Sequence, residues 1–281
     1  MTRGKAELCA RLVCCTILIL LTVVSMHLRA QERRVVRIAA AADLKFAMEE
    51  LSKEFESKTG TKADLTAGSS GNLFAQIQSE APFDVFFSAD MDYPKKLEAS
   101  GLTEPGTLFE YALGQIIIWA PANSQVNITR DNWNALLDAR IQKIAIANPA
   151  LAPYGRAAVS ALQKAGIYEQ VKAKLVYGEN ISQAAQFVQS GNAQAGIIAH
   201  SLVLSPGMNG GHMWVIPADM HPPIVQGVVV LKNAKNKAAA LEFLDFVRSS
   251  EGRAILEQHG FAIPMSRQQA SGVRLLMQIA R

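Results

Sequence analysis

Two serines bracketed by glycines, Gly68-Ser69-Ser70-Gly71, stand where a strand gives way to a helix, a placement suited to holding an anion. Asp64-Leu65-Thr66 reads as the end of the strand, and Leu73, Phe74 and Ile77 carry the apolar spacing of the helix that follows. A turn of this kind points free backbone N–H groups and two hydroxyls outward from the positive end of a helix dipole. Neutral donors can then hold an anion without a cationic side chain. The same residues also make an ordinary pair of helix caps, so this turn by itself leaves both readings open.

The construction recurs three more times. Val35, Val36 and Ile38 form an apolar strand running into Ala39-Ala40-Ala41-Ala42-Asp43-Leu44, where Asp43 precedes a helix with Leu44, Met48, Leu51 and Phe55 on its inner face. Asn148-Pro149-Ala150-Leu151-Ala152-Pro153-Tyr154-Gly155 follows a strand at 144–147 and leads into a helix burying Ala158, Val159 and Leu162. Gly178-Glu179-Asn180-Ile181-Ser182 lies between a strand at 175–177 and a helix carrying Ala184, Ala185 and Val188. Two of these turns come early in the chain and two late. Two lobes facing each other through them would enclose a small oxyanion from both sides.

The elements that must position these turns alternate strand and helix. Short apolar runs at 35–41, 85–88, 115–119, 144–147, 196–199 and 225–231 suit strands covered on both faces, which predicts an α/β class with mostly parallel sheets. No long low-complexity linker or fixed-period repeat divides the chain. The chain is therefore expected to change lobe on extended crossings, one in an apolar strand through Tyr111 to Pro121 and one at Met220-His221-Pro222-Pro223. The helix at 237–248 then returns to the first lobe, and 266–281 reads as a tail.

The N-terminus reads as a signal peptide over residues 1–30. Arg3, Lys5 and Arg11 form a basic region, and Leu12 to Val24 is an apolar or neutral run. That run is shorter than the roughly 20 residues a membrane span needs, with an uncleaved anchor as the alternative. Cys9, Cys14 and Cys15, the three cysteines, all fall inside the segment. An exported chain would then contain neither disulfide nor thiolate chemistry. The net charge of +4 also shrinks. Without the first 30 residues, which hold Arg3, Lys5, Arg11 and Arg29 against Glu7, 24 basic and 23 acidic residues remain, and nothing in that balance favours nucleic acid.

Catalytic patterns are sparse. No Gly-x-Ser-x-Gly elbow occurs, and Ser70 has no evident histidine and acid partners in the sequence. His27, His200, His212, His221 and His259 lack metal-ligand spacing. Glu49-Glu50 read as a solvent face, and Asp84 and Asp90 as braces of a strand-to-helix turn.

Ala40-Ala41-Ala42-Asp43-Leu44, Gly68-Ser69-Ser70-Gly71, the run Phe83-Asp84-Val85-Phe86-Phe87-Ser88-Ala89-Asp90 and Asn148-Pro149…Ala152-Pro153-Tyr154-Gly155 together resemble the periplasmic molybdate-binding proteins of ABC transporters. The likeness spans roughly Val35 to Pro264. It implies a two-lobed type II periplasmic binding protein fold, each lobe a mostly parallel sheet flanked by helices, joined by two crossing strands. Residues 31–114 with 225–281 would form lobe 1, and 115–224 lobe 2. The implied protein is not an enzyme and uses no cofactor. It captures molybdate or tungstate in the periplasm, as a monomer, and delivers it to a membrane permease and its ATPase. Carried over residue by residue, the contacts fall on Ala42 and Asp43, on Ser70 with Ser69 beside it, and on Tyr154 and Ile181. They act on the oxygens of the oxyanion, with no direct ligand to the metal.

This chain departs from the family pattern at two of those turns. Relatives often place Ser, or a Thr-Asn pair, where Ala42-Asp43 stands, and many bring a tyrosine from the later position held here by Ala199 rather than by Tyr154. A carboxylate aimed at a dianion would repel it, so the Asp43 side chain is expected to cap the following helix while its N–H faces the ligand. Sulfate or phosphate receptors, and a bilobed enzyme or sensor, are the alternatives.

Overall fold

The computed structural model describes residues 34–264 apart from Pro206 and Asn209. The expected signal segment, the three cysteines and the tail at 266–281 lie outside the described residues. Ten strands form two five-stranded sheets. β1 (Val35–Ala41), β2 (Lys62–Gly68), β3 (Val85–Ser88), β4 (Phe109–Gly114) and β10 (Ile224–Val230) make the first, in the order β2-β1-β3-β10-β4. β5 (Ile116–Ala120), β6 (Ile144–Ala147), β7 (Leu175–Gly178), β8 (Ala195–Ala199) and β9 (His212–Val215) make the second, in the order β7-β6-β8-β5-β9. In each sheet four strands run one way and a single strand, β10 or β5, runs against them. That opposed strand is the one the chain uses to cross.

Sequence chemistry accounts for these elements locally. Every residue of β3, β5, β6 and β8 is buried, as expected of strands with helices on both faces. Helix α1 (Lys45–Thr59) buries Ala47, Met48, Leu51 and Phe55 on one face and ends at Gly60, whose left-handed φ of 69° lets its N–H reach the Glu56 carbonyl. Helices α2 (Ser70–Gln78) and α3 (Asp92–Ala99) belong to the first sheet's lobe. Helices α4 (Pro153–Lys164) and α5 (Ile181–Gln189) pack on the second sheet. Helix α6 (Lys237–Arg248) returns to the first lobe and buries Phe243, Leu244 and Val247 in its core, with α7 (Ser250–Gln258) against it.

The apolar run through Tyr111 to Pro121 is not one strand. It divides at Gln115 into β4 and β5, which join different sheets. Gln226 interrupts the apolar pattern of β10 and coincides with a shift in register against β4 between Gln226 and Gly227. β9 carried no strand expectation because its residues alternate half-buried and exposed, the mark of an edge strand with one covered face.

Candidate oxyanion-binding cleft

All four expected turns follow parallel strands and end in helix starts. After β1 comes a 3-10 turn, Ala42–Leu44, with Ala42 and Asp43 both buried. After β2, Ser69 caps α2 by accepting from the Asn72 N–H at 3.3 Å. Ser70 opens that helix, and its hydroxyl oxygen accepts from the Ala89 N–H at 3.0 Å. After β6, Pro153 starts α4 and places Tyr154 in its first turn, 2% exposed. After β7, Asn180 caps α5 by accepting from the Gln183 N–H at 3.0 Å, which leaves Ile181 as the first helical residue. First-turn N–H groups have no intrahelical acceptor, so Ser70, Tyr154 and Ile181 each present a donor at a positive helix end.

The structure brings the six sequence-predicted residues together. Ala42, Asp43, Ser69, Ser70, Tyr154 and Ile181 line one cavity of about 10 Å³, with Ala89 and Asn180 among its other walls. That volume accommodates about one water molecule, less than a tetrahedral oxyanion fills, and hydrogen bonds join the two lobes around it, so the lobes are in contact and must part slightly to admit an anion. Both serine oxygens accept a backbone N–H, which leaves the hydroxyl protons to donate.

Asp43 does not cap α1. No capping hydrogen bond is made by a side chain at the 3-10 turn or at Leu44, the residue preceding α1. Asp43 sits within the turn, not ahead of it, and its carboxylate reaches across the cleft. Oδ2 accepts from the Tyr154 hydroxyl at 2.9 Å and from Gln226 Nε2 at 2.6 Å, while Oδ1 is buried without a partner. Gln226 Nε2 also donates to the Tyr154 oxygen at 3.0 Å, and Gln226 Oε1 accepts from the Tyr111 hydroxyl. Burial raises the Asp43 pKa to about 6, against the partial pull of the Gln226 and Tyr154 hydrogen bonds. Burial and the nearby Asp43 charge push both phenols well above 10, so they remain donors at neutral pH.

The remaining contacts across the cleft join backbone and rim. Ser182 Oγ donates to the Ala42 carbonyl at 2.8 Å and Ser201 Oγ to the Asp43 carbonyl at 2.9 Å, which ties the first turn to the second lobe. Gly71 N–H donates to the Leu151 carbonyl at 2.9 Å. A Cβ on Gly71 would lie 2.8 Å from that oxygen, so only glycine permits this approach of the lobes. Gly114 is constrained in the same way, since a Cβ there would collide with the Tyr154 phenol. At the rim, Asn72 Nδ2 donates to Glu179 Oε1 at 2.6 Å and Arg156 pairs with Asp90. Asp90 also accepts from the Tyr93 N–H and so braces the start of α3, and Asp84 accepts from Arg37 and Lys235 N–H groups. Glu50, read as a solvent-facing partner of Glu49, meets His259 at 2.8 Å.

Gln226, Tyr111, Ser182 and Ser201 were not among the expected site residues. Gln226 had a signal: it is the one polar side chain in Ile224–Val230, and it is fully buried. Among the described residues, no group of three or more His, Cys, Asp or Glu side chains could hold a metal ion.

Two α/β lobes of matching strand order, closed on a cleft of helix N-termini and neutral hydroxyls, define a receptor that captures a small solute between its halves. Residues 36–262 match the family model for bacterial extracellular solute-binding proteins, and the chain belongs to that family. It is 40% identical over 223 residues to the molybdate-binding protein ModA of Rhodobacter capsulatus, covering 79% of this chain and 86% of that protein. The identity is 38% to ModA of Azotobacter vinelandii, over 81% of this chain and 90% of that protein. The solved structure of the Azotobacter vinelandii periplasmic molybdate-binding protein matches with a TM-score of 0.77 at 31% identity, covering 82% of this chain and all of that one. The family resemblance carried by the four motifs, and the two-lobed fold it implied, hold.

Proposed function

We propose that the protein is the extracytoplasmic receptor of an ABC importer and captures molybdate, and tungstate with it, between its lobes. The observation that carries this reading is the convergence of four helix-start turns, two from each lobe, on one cavity free of lysine and arginine. Likeness to relatives named for molybdate narrows the oxyanion. Ser69 and Ser70 hydroxyls with the Ser70 N–H form one half of the ligand shell; the Tyr154 phenol and the Ile181 N–H form the other. Ala42 and Asp43 contribute through their backbone. The contacts are to oxygens, and no side chain ligates the metal itself.

The anion is transported and not consumed, so no catalysis or resident cofactor is needed. The expected division into 31–114 with 225–281 and 115–224 gives the two bodies that open and close; among the described residues β1–β4 and all of β10 but Ile224 fall in the first and β5–β9 in the second, which supports it. The closed monomer, in the periplasm, is the form that a permease and its ATPase would read. Ligand bonded to both bodies binds the closed state better than the open one, and that difference alone shifts the population.

Titration calorimetry of the exported chain with molybdate, tungstate, sulfate and phosphate tests the reading. Tight binding of the first two is expected. A smaller oxyanion leaves buried donors unpaired at about 1–3 kcal/mol each, so sulfate should bind at least tenfold more weakly. Equal affinity for sulfate and molybdate would refute the assignment.

A further inference from the structure

We propose that capture of the oxyanion is coupled to uptake of one proton, held by the Asp43 carboxyl, which then faces the ligand as a neutral hydrogen-bond donor. The inference rests on the proposed reading of the cleft and goes beyond it, because it assigns the Asp43 side chain a part in ligand selection and makes affinity depend on pH.

Hydrogen-bond counting leads to this conclusion. Tyr154 has a single hydroxyl proton, and it goes to Asp43 Oδ2. If Tyr154 turns that proton to the oxyanion, Gln226 is the one side chain still donating to Asp43, beside the weaker pull of the Asp43 and Leu44 backbone N–H groups. Oδ1 already has no partner and is buried. The carboxylate therefore loses one of its two side-chain donors at the moment a second anion enters the same cavity. No cation compensates. At the start of α1, Lys45 extends over the Phe46 ring. From β4 and α4 come Tyr111 and Tyr154, both neutral, and from β10 comes Gln226. From the short helix after β8, Ser201 bonds the Asp43 carbonyl, and the adjacent His200 is shifted by burial toward its neutral form. Across the rim, Asp90 is occupied by Arg156.

A buried carboxylate in contact with a dianion and supported by no positive charge takes a proton from solvent. Once neutral, Asp43 can direct its O–H from Oδ1 to a ligand oxygen while Oδ2 still accepts from Gln226. Repulsion becomes a hydrogen bond. Burial already raises the Asp43 pKa to about 6, toward the neutral form.

Calorimetric titration with molybdate at about pH 8, in two buffers of different ionisation enthalpy, reads the proton count directly; about one proton per anion is expected. The dissociation constant should then weaken about tenfold for each pH unit above the Asp43 titration, and level off below it. In Asp43→Asn, uptake should vanish and the profile flatten, because the amide donates at every pH. No uptake by the wild type overturns the proposal, as does uptake retained by the variant. The wild-type buffer pair decides even if the variant does not fold. Absence of molybdate binding at every pH would overturn the reading of the cleft itself, and this coupling with it.

Discussion

Each lobe of the molecule places the second, first and third strands of its own run side by side, then the crossing strand, then the fourth, so β2-β1-β3-β10-β4 and β7-β6-β8-β5-β9 are one plan used twice. In both, the turns that line the cleft follow the first and second strands. The two halves nevertheless prepare for the anion differently. The first lobe fixes its donors by itself: the Ser69 oxygen is held by the Asn72 N–H and the Ser70 oxygen by the Ala89 N–H. The second lobe's hydroxyl donor, Tyr154, is bonded to Asp43 and Gln226, both from the first lobe's sheet and its turn. One half is a preformed cradle. The other is a clamp whose donor is engaged by side chains of the cradle's lobe.

The sharpest challenge to this comparison lies in the residue the clamp holds. Asp43 titrates near 6 in the folded state against an ordinary value of 3.8, so between those values the folded protein binds more protons than the unfolded chain. The sign follows: the Asp43 contribution is most favourable below about pH 4 and is lost as pH rises through about 6. Asp43→Asn removes this dependence, and its amide NH₂ can occupy the side where Oδ1 stands unpartnered. Without ligand the variant is expected to be more stable than wild type at about pH 8, by on the order of 3 kcal/mol, and the two should converge near pH 4. Thermal melts of both proteins across that range check it. A wild type more stable than the variant at high pH would mean that the carboxylate is well solvated and the clamp is not closed on it.

A smaller effect separates cradle from clamp. Ser70→Ala removes a donor that has no competing acceptor among the described residues, and it also strips the buried Ala89 N–H of its partner. Molybdate affinity should fall by about 1.5–3 kcal/mol, as for a charge-assisted hydrogen bond in a dry site. Tyr154→Phe removes a donor that must first leave Asp43, so the bond lost with the ligand is offset by one lost without it. Its affinity cost should be nearer 0.5–1.5 kcal/mol. Titration calorimetry on the pair settles the order, and a larger loss for Tyr154→Phe would reverse the assignment of cradle and clamp.

Much of this was legible in the sequence because the relevant chemistry is local. Ser69 and Asn180 cap helices by accepting from N–H groups three residues ahead, and the apolar runs that became β3, β6 and β8 carry their burial in their composition. The orientation of Asp43 was not legible. Its partners stand 111 and 183 residues away, and nothing within the Ala42–Leu44 turn records them. Gln226 was legible only as an oddity, a polar residue in a strand otherwise made of Ile, Val and Gly, whose use depends on which turn the sheet sets opposite it. β9 was missed because half of each alternate pair faces solvent and its strand state depends on pairing with β5.

The smallest effect belongs to the rim, where the comparison between lobes should disappear. Arg156 from the second lobe and Asp90 from the first form an ion pair whose side chains are 41% and 15% exposed, with the guanidinium 5.8 Å from the Tyr93 ring centroid. The guanidinium end of the pair is open to water and Asp90 keeps its Tyr93 N–H and Ser88 hydroxyl donors, so Arg156→Gln should weaken molybdate binding by less than about 1 kcal/mol. The pair bridges the lobes in the closed form, so its loss should act by letting the cleft reopen, which raises the dissociation rate more than it lowers the association rate. Added salt should shrink the difference between wild type and variant, whereas the Ser70→Ala loss, inside a water-sized cavity, should persist. Stopped-flow rates at low and high ionic strength measure both. If Arg156→Gln costs as much as Ser70→Ala at high salt, a cation is part of the anion shell, and neutral donors do not hold the ligand unaided.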